Sequence, residues 1–258
     1  MPLETHSSTV AYDGVITVSI VSHGQMEMIL PLLRQLDTFS ASVVRKVVLT
    51  ENIPEPDLVT GIASHFPIER IFNPTAKGFG ANHNQAFERC DSSWFLVLNP
   101  DIRLDSNALE SLVAQAHPKS GLLTPRILEP GQSEPEPHRA IITPREILTR
   151  RRLGYVRPTA PAWIPGLFML FRKQAYAQIG GFDEKRFFMY GEDFDICART
   201  RLAGWQLQVA ENLRATHDAR RASHSSRHHL YWHVTSLLKV WTSATFWRYK
   251  RYLRMTGR

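Results

Sequence analysis

Val15-Ile16-Thr17-Val18-Ser19-Ile20-Val21, followed by Ser22-His23-Gly24, decides how this chain folds. The run is β-branched almost throughout, as in a strand buried on both faces, and it feeds a turn. Met26 to Leu36 then reads as a helix, with Pro31 as a blemish. The same order recurs downstream. Lys46 to Thr50 is a second strand that ends at Glu51-Asn52. Pro54 and Pro56 close it, and a short helix to about His65 follows. Ile68 to Phe72 is a weaker third strand. A loop holding Asn73-Pro74 and Lys77-Gly78-Phe79-Gly80 precedes a helix from Ala81 to Cys90. Trp94 to Leu98 is a fourth strand, ended by Asn99-Pro100-Asp101. A helix from Ser106 to Ala116 comes next, then Gly121 to Leu128.

Strands alternating with helices predict an α/β fold with a mostly parallel, Rossmann-like sheet and right-handed crossovers. Ligands of such sheets sit beyond the carboxyl ends of the strands. Ser22-His23, Glu51-Asn52 and Asn99-Pro100-Asp101 all fall at such ends, and that coincidence of polar residues is the first sign of a site. Glu129 to Pro161, rich in Pro, Arg and charge, reads as an excursion from the sheet. Trp163 to Phe171 returns as an apolar strand, and Lys173 to Gly180 as a short helix.

A second stretch, Arg186-Phe187-Phe188-Met189-Tyr190-Gly191-Glu192-Asp193-Phe194-Asp195-Ile196-Cys197, reads as a loop running into a helix. Apolar residues fall at Phe194, Cys197, Ala198 and Leu202, a helical spacing, and Gly204 stands where the helix would stop. Glu192, Asp193 and Asp195 therefore lie in the first turn, where free backbone N–H groups favour ionised carboxylates. On charge alone such a cluster is most often a cap. The aromatic loop before it adds an apolar wall, against which a carboxylate can serve as a general base.

The 258 residues suffice for one large α/β domain or two small ones, at 43% hydrophobic and 21% charged. No run approaches transmembrane length, and Met1 to Gly14 lacks a signal-peptide core. Cys90 and Cys197 offer no disulfide framework; they read as buried thiols in a reducing compartment. The net charge of +7 is uneven: after Asp218 there is no acidic residue but nine Lys or Arg. Such a tail calls for an acidic partner, whether nucleic acid, a phosphate-bearing substrate or a membrane. Leu230, Val234, Leu237, Leu238 and Trp241 share one helical face of that tail, and Phe246 to Tyr252 mixes aromatic with basic residues.

With these pieces placed, the chain resembles the family 2 glycosyltransferases. The matching segments are Val18 to Gly24, Lys77 to Asn84, Leu98-Asn99-Pro100-Asp101, Gly180-Gly181-Phe182-Asp183-Glu184 and Phe187 to Arg199, in the family's order. The resemblance spans roughly Val15 to Ser225 and implies the GT-A fold. It divides the chain into a catalytic domain over 1–218 and a C-terminal basic, aromatic helical segment over 219–258. Within the domain the nucleotide-sugar half is about 15–128 and the acceptor half about 160–218. Ser22-His23-Gly24 and the His/Arg/aromatic tail draw it toward the rhamnosyltransferases of O-antigen and cell-wall assembly.

The resemblance also implies roles. Asn99-Pro100-Asp101 sits where the family carries Asp-x-Asp, with only the second carboxylate kept. Asp101 would bind Mg²⁺ or Mn²⁺ bridging the donor diphosphate, and His217 would be the second protein ligand. Other histidines nearby (His224, His228, His229 and His233) leave a His-rich surface as the alternative for His217. Glu51-Asn52 replaces the family's Asp-Asn at the nucleotide base. Lys77 would approach the diphosphate, with Gly78 and Gly80 letting the backbone come close. Ser22 and His23 would line the nucleotide pocket, with Asn99 beside the metal site. Asp193 is the expected base, Glu192 the runner-up, and Asp195 a support for the helix or a neighbouring Arg. Trp163 and Gly166 would shape the acceptor pocket.

The expected activity is inverting, metal-dependent transfer of L-rhamnose from dTDP-β-L-rhamnose to a polyprenyl-diphosphate saccharide. It would take place at an anionic membrane surface, on the cytoplasmic face of the inner membrane. A UDP-linked hexose or galactofuranose donor, and a homodimer, stay open. A nucleotidyltransferase would need a phosphate-binding Gly/Arg loop after the first strand, and Ser22-His23-Gly24-Gln25 provides none. A non-catalytic basic module is the third reading. The sugar-transfer motifs give nucleic acid no support.

Overall fold

The computed structural model describes residues 14–218 and 227–256, with only the backbone of 227–230. The opening run is β1 (Ile16–Ser22), buried at six of its seven positions. It pairs in parallel with β2 (Val44–Glu51) on one side and β4 (Trp94–Leu98) on the other. β3 (Ile68–Phe72) adds in parallel to β2. The order 3-2-1-4 puts the switch in winding direction between β1 and β4, the position where open α/β sheets hold ligands.

Beyond β4 the sheet turns mixed. β7 (Phe168–Arg172) runs antiparallel to β4 and to β6 (Ser120–Leu128). β8 (Gln206–His217) is parallel to β6, and the two-residue β5 (Ile102–Arg103) pairs antiparallel with its end. The full order is β3-β2-β1-β4-β7-β6-β8-β5. The parallel expectation therefore holds for the first half and for the β6–β8 pair, with β7 and β5 antiparallel. An apolar run buried on both faces does not encode its direction, and β7 enters from the excursion after β6 rather than from a crossover helix.

Alternate side chains divide between two cores. Ile16, Val18, Ile20, Leu96, Leu98, Phe168 and Leu170 face one cluster with α1 (Met26–Ser40) and α3 (Ala108–Ala114). Phe95, Val97, Met169 and Phe171 face the other. That second cluster is covered by α2 (Phe79–Phe87), α5 (Lys173–Gln178), α6 (Glu192–Leu202) and α8 (Ala244–Met255). Cys90 and Cys197 are both buried and free.

Three elements depart from expectation. The helix expected up to His65 does not form. The Asp57 carboxylate accepts from the Val59 and Thr60 amides, both at 3.0 Å, and Arg70 holds Asp57 at 2.6 Å. Those local bonds compete with helical ones. The excursion holds a short helix, α4 (Pro144–Thr149), whose N-cap Thr143 accepts from the Glu146 amide at 3.0 Å. Finally, α7 (Arg227–Trp241) buries only part of the named face: Trp241 packs on the second core. Val234 and Leu238 are exposed, while Ser236 and Val240 point inward; Leu230 has no described side chain. Ser236 donates to the Met189 carbonyl at 2.8 Å, which sets that rotation. No described helix is long and apolar enough to cross a membrane.

Candidate active site

The carboxyl ends of β1 and β2 meet at Asn52. Its Oδ1 accepts from the Asn73 side chain (2.9 Å) and the Lys77 amide (2.8 Å). Its Nδ2 donates to the Lys77 carbonyl (2.9 Å) and lies 3.1 Å from His23 Nδ1. Asn73 also donates to Asn82 at 2.6 Å. The turn carrying His23 and the loop carrying Lys77 are thus locked to one side chain. His23 is exposed there, while Ser22 is fully buried, with its Oγ accepting from the Gln25 amide at 3.2 Å. Ser22 therefore shapes the turn rather than an open wall. Glu51 is buried and ion-paired to Arg70, so Arg70 accompanies it wherever it reaches. Lys77 Nζ rests on Gln85 Oε1 at 2.8 Å.

Gly78 and Gly80 serve an approach between protein loops. A Cβ on Gly78 would fall 2.4 Å from the Phe188 carbonyl oxygen, and one on Gly80 2.6 Å from Phe182 Cβ. Phe79 N–H donates to that same Phe188 carbonyl at 3.0 Å. Gly78 therefore brings the loop of 77–80 against the aromatic loop before α6, and Gly80 lets the start of α2 pack on Phe182. The space a Cβ would fill at these two glycines is occupied by protein.

Asp101 follows β4, and β8 delivers His217 opposite Ile102 in the β5–β8 pair. His217 Nε2 lies 3.1 Å from Asp101 Oδ2, and its Nδ1 lies 2.7 Å from Glu129 Oε1, just past β6. Burial pulls the imidazole's pKa down, but the two carboxylates more than offset it and raise it to about 9. The other oxygen, Asp101 Oδ1, is buried with no hydrogen-bond partner. An orphaned carboxylate oxygen beside an imidazole suits a divalent cation with mixed N/O ligands. No group of three or more described His, Cys, Asp or Glu could hold a metal ion alone, so the remaining positions would belong to ligand oxygens. Asn99, half-buried, donates its amide to the Leu167 carbonyl at 3.0 Å and ties this turn to the segment before β7.

α6 begins after two residues at positive φ, Tyr190 at 66° and Gly191 at 87°. Such a backbone in a non-glycine residue costs about 1–3 kcal/mol and is held here by packing: the Tyr190 ring stacks on His233 at 3.6 Å. Asp193 is half-buried and accepts from the Phe194 amide at 2.8 Å. Burial raises its pKa, while the Phe194 and Gly166 amides and the Arg139 charge oppose the rise. Glu192 is buried, with Oε2 unpartnered; burial, then Asp193, push its pKa up to about 8. Asp195 pairs with Arg199 at 2.7 Å and so supports the helix. A Cβ at Gly166 would lie 3.1 Å from the Phe79 ring and 3.8 Å from Asp193 Cβ. Phe79, Gly166 and Asp193 therefore meet, and the 77–80 loop borders the turn that carries Asp193.

Glu129 and Arg139 escaped the sequence reading. Glu129 had one usable sign, its place just after a strand. Arg139 had none, because its neighbour Trp163, whose ring lies 4.9 Å beneath it, is distant in sequence. His224, His228 and His229 lie outside the described side chains. α8 packs Phe246, Tyr249 and Leu253 inward, with Phe246 and Tyr249 against Phe194, and Tyr249 donates to the Ala162 carbonyl. Its outer face keeps Trp247, Arg248, Arg251 and Arg254 exposed.

A family model described as Glycosyl transferase family 2 matches residues 47–180, just over half of the chain. A second, described as the N-terminal domain of galactosyltransferase, matches residues 155–225. Rhamnosyltransferase WbbL of Escherichia coli (strain K12) is 26% identical over 246 residues, 87% of this chain and 92% of the relative. N-acetylglucosaminyl-diphospho-decaprenol L-rhamnosyltransferase of Mycobacterium tuberculosis (strain ATCC 25618 / H37Rv) is 29% identical over 182 residues. That match covers 61% of this chain and 59% of the relative, so less than two thirds of the mycobacterial protein is spanned. Among solved structures, mannosyltransferase PcManGT from Pyrobaculum calidifontis in complex with GDP-Man and Mn²⁺ superposes with a TM-score of 0.61. It is 12% identical, over 95% of this chain and 76% of that one. GalNAc-T7 with UDP, GalNAc and Mn²⁺ gives a TM-score of 0.58 at 15% identity, over 79% of this chain and 43% of that one. Likeness at such identities is one of fold, the GT-A fold.

Proposed function

The chain belongs to glycosyltransferase family 2, and from that premise we propose that it transfers L-rhamnose from dTDP-β-L-rhamnose to a polyprenyl-diphosphate saccharide, with inversion. The observation that carries this reading is the meeting of the 77–80 loop, Gly166 and Asp193, with Asp101 and His217 on the same rim through the Asn99–Leu167 bond. Two relatives are rhamnosyltransferases by name, which supports rhamnose, and the name of one supports a diphospho-decaprenol acceptor.

Asp193 accepts the proton of an acceptor hydroxyl as that oxygen attacks the anomeric carbon. The bond from that carbon to the nucleotide diphosphate breaks on the opposite face, so one displacement inverts the centre. Glu192 stays protonated beside Asp193, which lets Asp193 carry the pair's charge. The Gly166 and Phe194 amides fix the carboxylate. Asp101 and His217, after losing the imidazole proton, would hold Mg²⁺ or Mn²⁺. That ion would neutralise charge on the departing diphosphate. Asn52, Lys77 and His23 would orient the nucleotide, with Glu51 and Arg70 at its base.

The match of 155–225 to a galactosyltransferase domain favours a second reading, a UDP-linked hexose donor. Thermal shift separates the two, since a ligand stabilises by mass action. dTDP-rhamnose with Mn²⁺ should raise the melting temperature more than UDP-galactose; the reverse order would overturn the rhamnosyl assignment.

Activity at an anionic cytoplasmic leaflet is part of the proposal. The exposed Trp247, Arg248, Arg251 and Arg254 of α8 suit such a surface, at about 1 kcal/mol per basic residue before screening. Because α8 also caps the core, the test is substitution of these outward residues by Gln rather than removal of the helix. The substituted protein should lose salt-sensitive binding to phosphatidylglycerol vesicles; retained binding would leave α8 a packing element.

A further inference from the structure

The excursion between β6 and β7 forms one wall of a groove of about 340 Å³. Four arginines line it, Arg139, Arg150, Arg151 and Arg157, together with Tyr155 and Trp163, against two glutamates. Both glutamates are engaged: Glu136 pairs with Arg139 at 2.6 Å, and Glu146 accepts from the Tyr155 hydroxyl. Among the described residues Arg150, Arg151 and Arg157 form no ion pair, and the chain carries no Asp or Glu between Glu146 and Asp183. Exposed arginines are usually only solvated, so their number alone decides nothing.

Their placement does. At the inner end Trp163 is 7% exposed, lies under the Arg139 guanidinium and touches the Phe194 ring, next to the base Asp193. On the same segment of chain as Arg150, Arg151 and Arg157, three large apolar side chains stand in solvent: Leu148 at 69%, Val156 at 87% and Leu153 at 107% exposure. Outward from Asp193 run Trp163 and a concave wall of guanidinium groups, and the chain that carries the arginines also carries the exposed apolar side chains. A saccharide joined through a diphosphate to a long isoprenoid has matching chemistry. Planar guanidinium groups bind phosphate oxygens in paired contacts.

We propose that this groove binds the diphosphate of the lipid-linked acceptor, with Arg150, Arg151 and Arg157 as its anion ligands and Leu148, Leu153 and Val156 against the first isoprene units. The inference rests on the acceptor class assigned above and locates where that acceptor is held.

The full-length protein tests it with two acceptors, one sugar on farnesyl diphosphate and the same sugar on a neutral alkyl chain of matched length. The parent should favour the diphosphate acceptor in KM by about a hundredfold, since contacts to charged groups contribute about 1.5–3 kcal/mol each. The triple substitution Arg150→Ala, Arg151→Ala, Arg157→Ala should collapse that ratio to about threefold or less. All three residues are exposed, and unchanged dTDP affinity would show the variant folded. A parent without preference, or a variant that keeps it, overturns the proposal. A variant that loses phosphatidylglycerol vesicle binding yet keeps the ratio also overturns it, because the arginines would then read phospholipid headgroups. A second arm needs no transfer: calorimetric titration of farnesyl diphosphate into enzyme saturated with dTDP. Binding that the substitutions weaken at least tenfold supports the groove even if dTDP-rhamnose proves the wrong donor; no binding overturns it.

Discussion

The two sides of the site handle polarity in opposite ways. At the ends of β1 and β2, Asn52, Asn73, Asn82 and the Lys77 backbone bond to one another in a buried network. Along the excursion, three arginines pair with no described carboxylate, and apolar side chains stand exposed beside them. A closed network arrives at the ligand with its geometry already set, so it loses little freedom on binding. Open guanidinium groups keep their charge for whatever docks, and they contribute little to the stability of the free protein. The proposed nucleotide side should therefore resist change through folding, and the proposed acceptor side through function.

Four outcomes would break or sharpen that contrast. The largest is expected where the acceptor side does hold buried polar groups, at the start of α6. Asp193→Asn should lower transfer by about 10²–10⁴-fold in a steady-state assay with nucleotide affinity kept, and Glu192→Gln should do less. Near-normal turnover in Asp193→Asn would hand the role to Glu192. Next, Asn52→Ala should cost about 3 kcal/mol in urea unfolding, because it strands the Asn73 and Lys77 groups. Arg151→Ala should stay within about 0.5 kcal/mol. Equal costs would erase the distinction between the two sides.

A smaller effect is expected at the rim. Asp101→Ala should weaken nucleotide diphosphate binding in Mn²⁺ by about tenfold, equivalent to about 1.4 kcal/mol, and chelator should do the same to the parent. Full activity in excess chelator would remove the cation from the mechanism. The smallest is a pH slope. Glu192 binds its proton more tightly folded, with a pKa near 8, than unfolded, near 4.5. Its contribution to stability is therefore complete below about pH 4.5 and fades as pH rises through 8. Melting temperature should fall less between pH 5 and 9 in Glu192→Gln than in the parent; parallel curves would mean Glu192 is ionised when folded.

What could be read in the sequence was local. β1 and the α6 turn announce themselves through β-branching, helical spacing and the stop at Gly204, whose φ is +91°. Asp101 is legible as the end of a strand. His217 was placed by resemblance, and the structure brings it to Asp101 from 116 residues away. β8 itself, Gln206–His217, carries a weak pattern because its ladder with β6 shifts register between Pro125 and Arg126. Glu129 had its place just after a strand as a sign, but its meeting with His217 depends on that pairing. The inward face of α7 was misread because a polar residue, Ser236, is buried by a hydrogen bond that hydrophobic spacing cannot announce. The missing side chain of Gly78 also admits Phe188, a contact that exists only after folding and that the sequence could not show.

The seat of α8 on α6 has a consequence for the order in which the protein is made. Phe194, beside the proposed base, is shielded by Phe246 and Tyr249, which the ribosome adds much later. At about 5–20 residues per second that delay lasts on the order of 3–11 s. During it the nascent chain can assemble β1 to β4 with α1 and α2, while the apolar side of α6 waits uncovered. The helix that carries Asp193 thus gains its final surroundings only when α8 emerges.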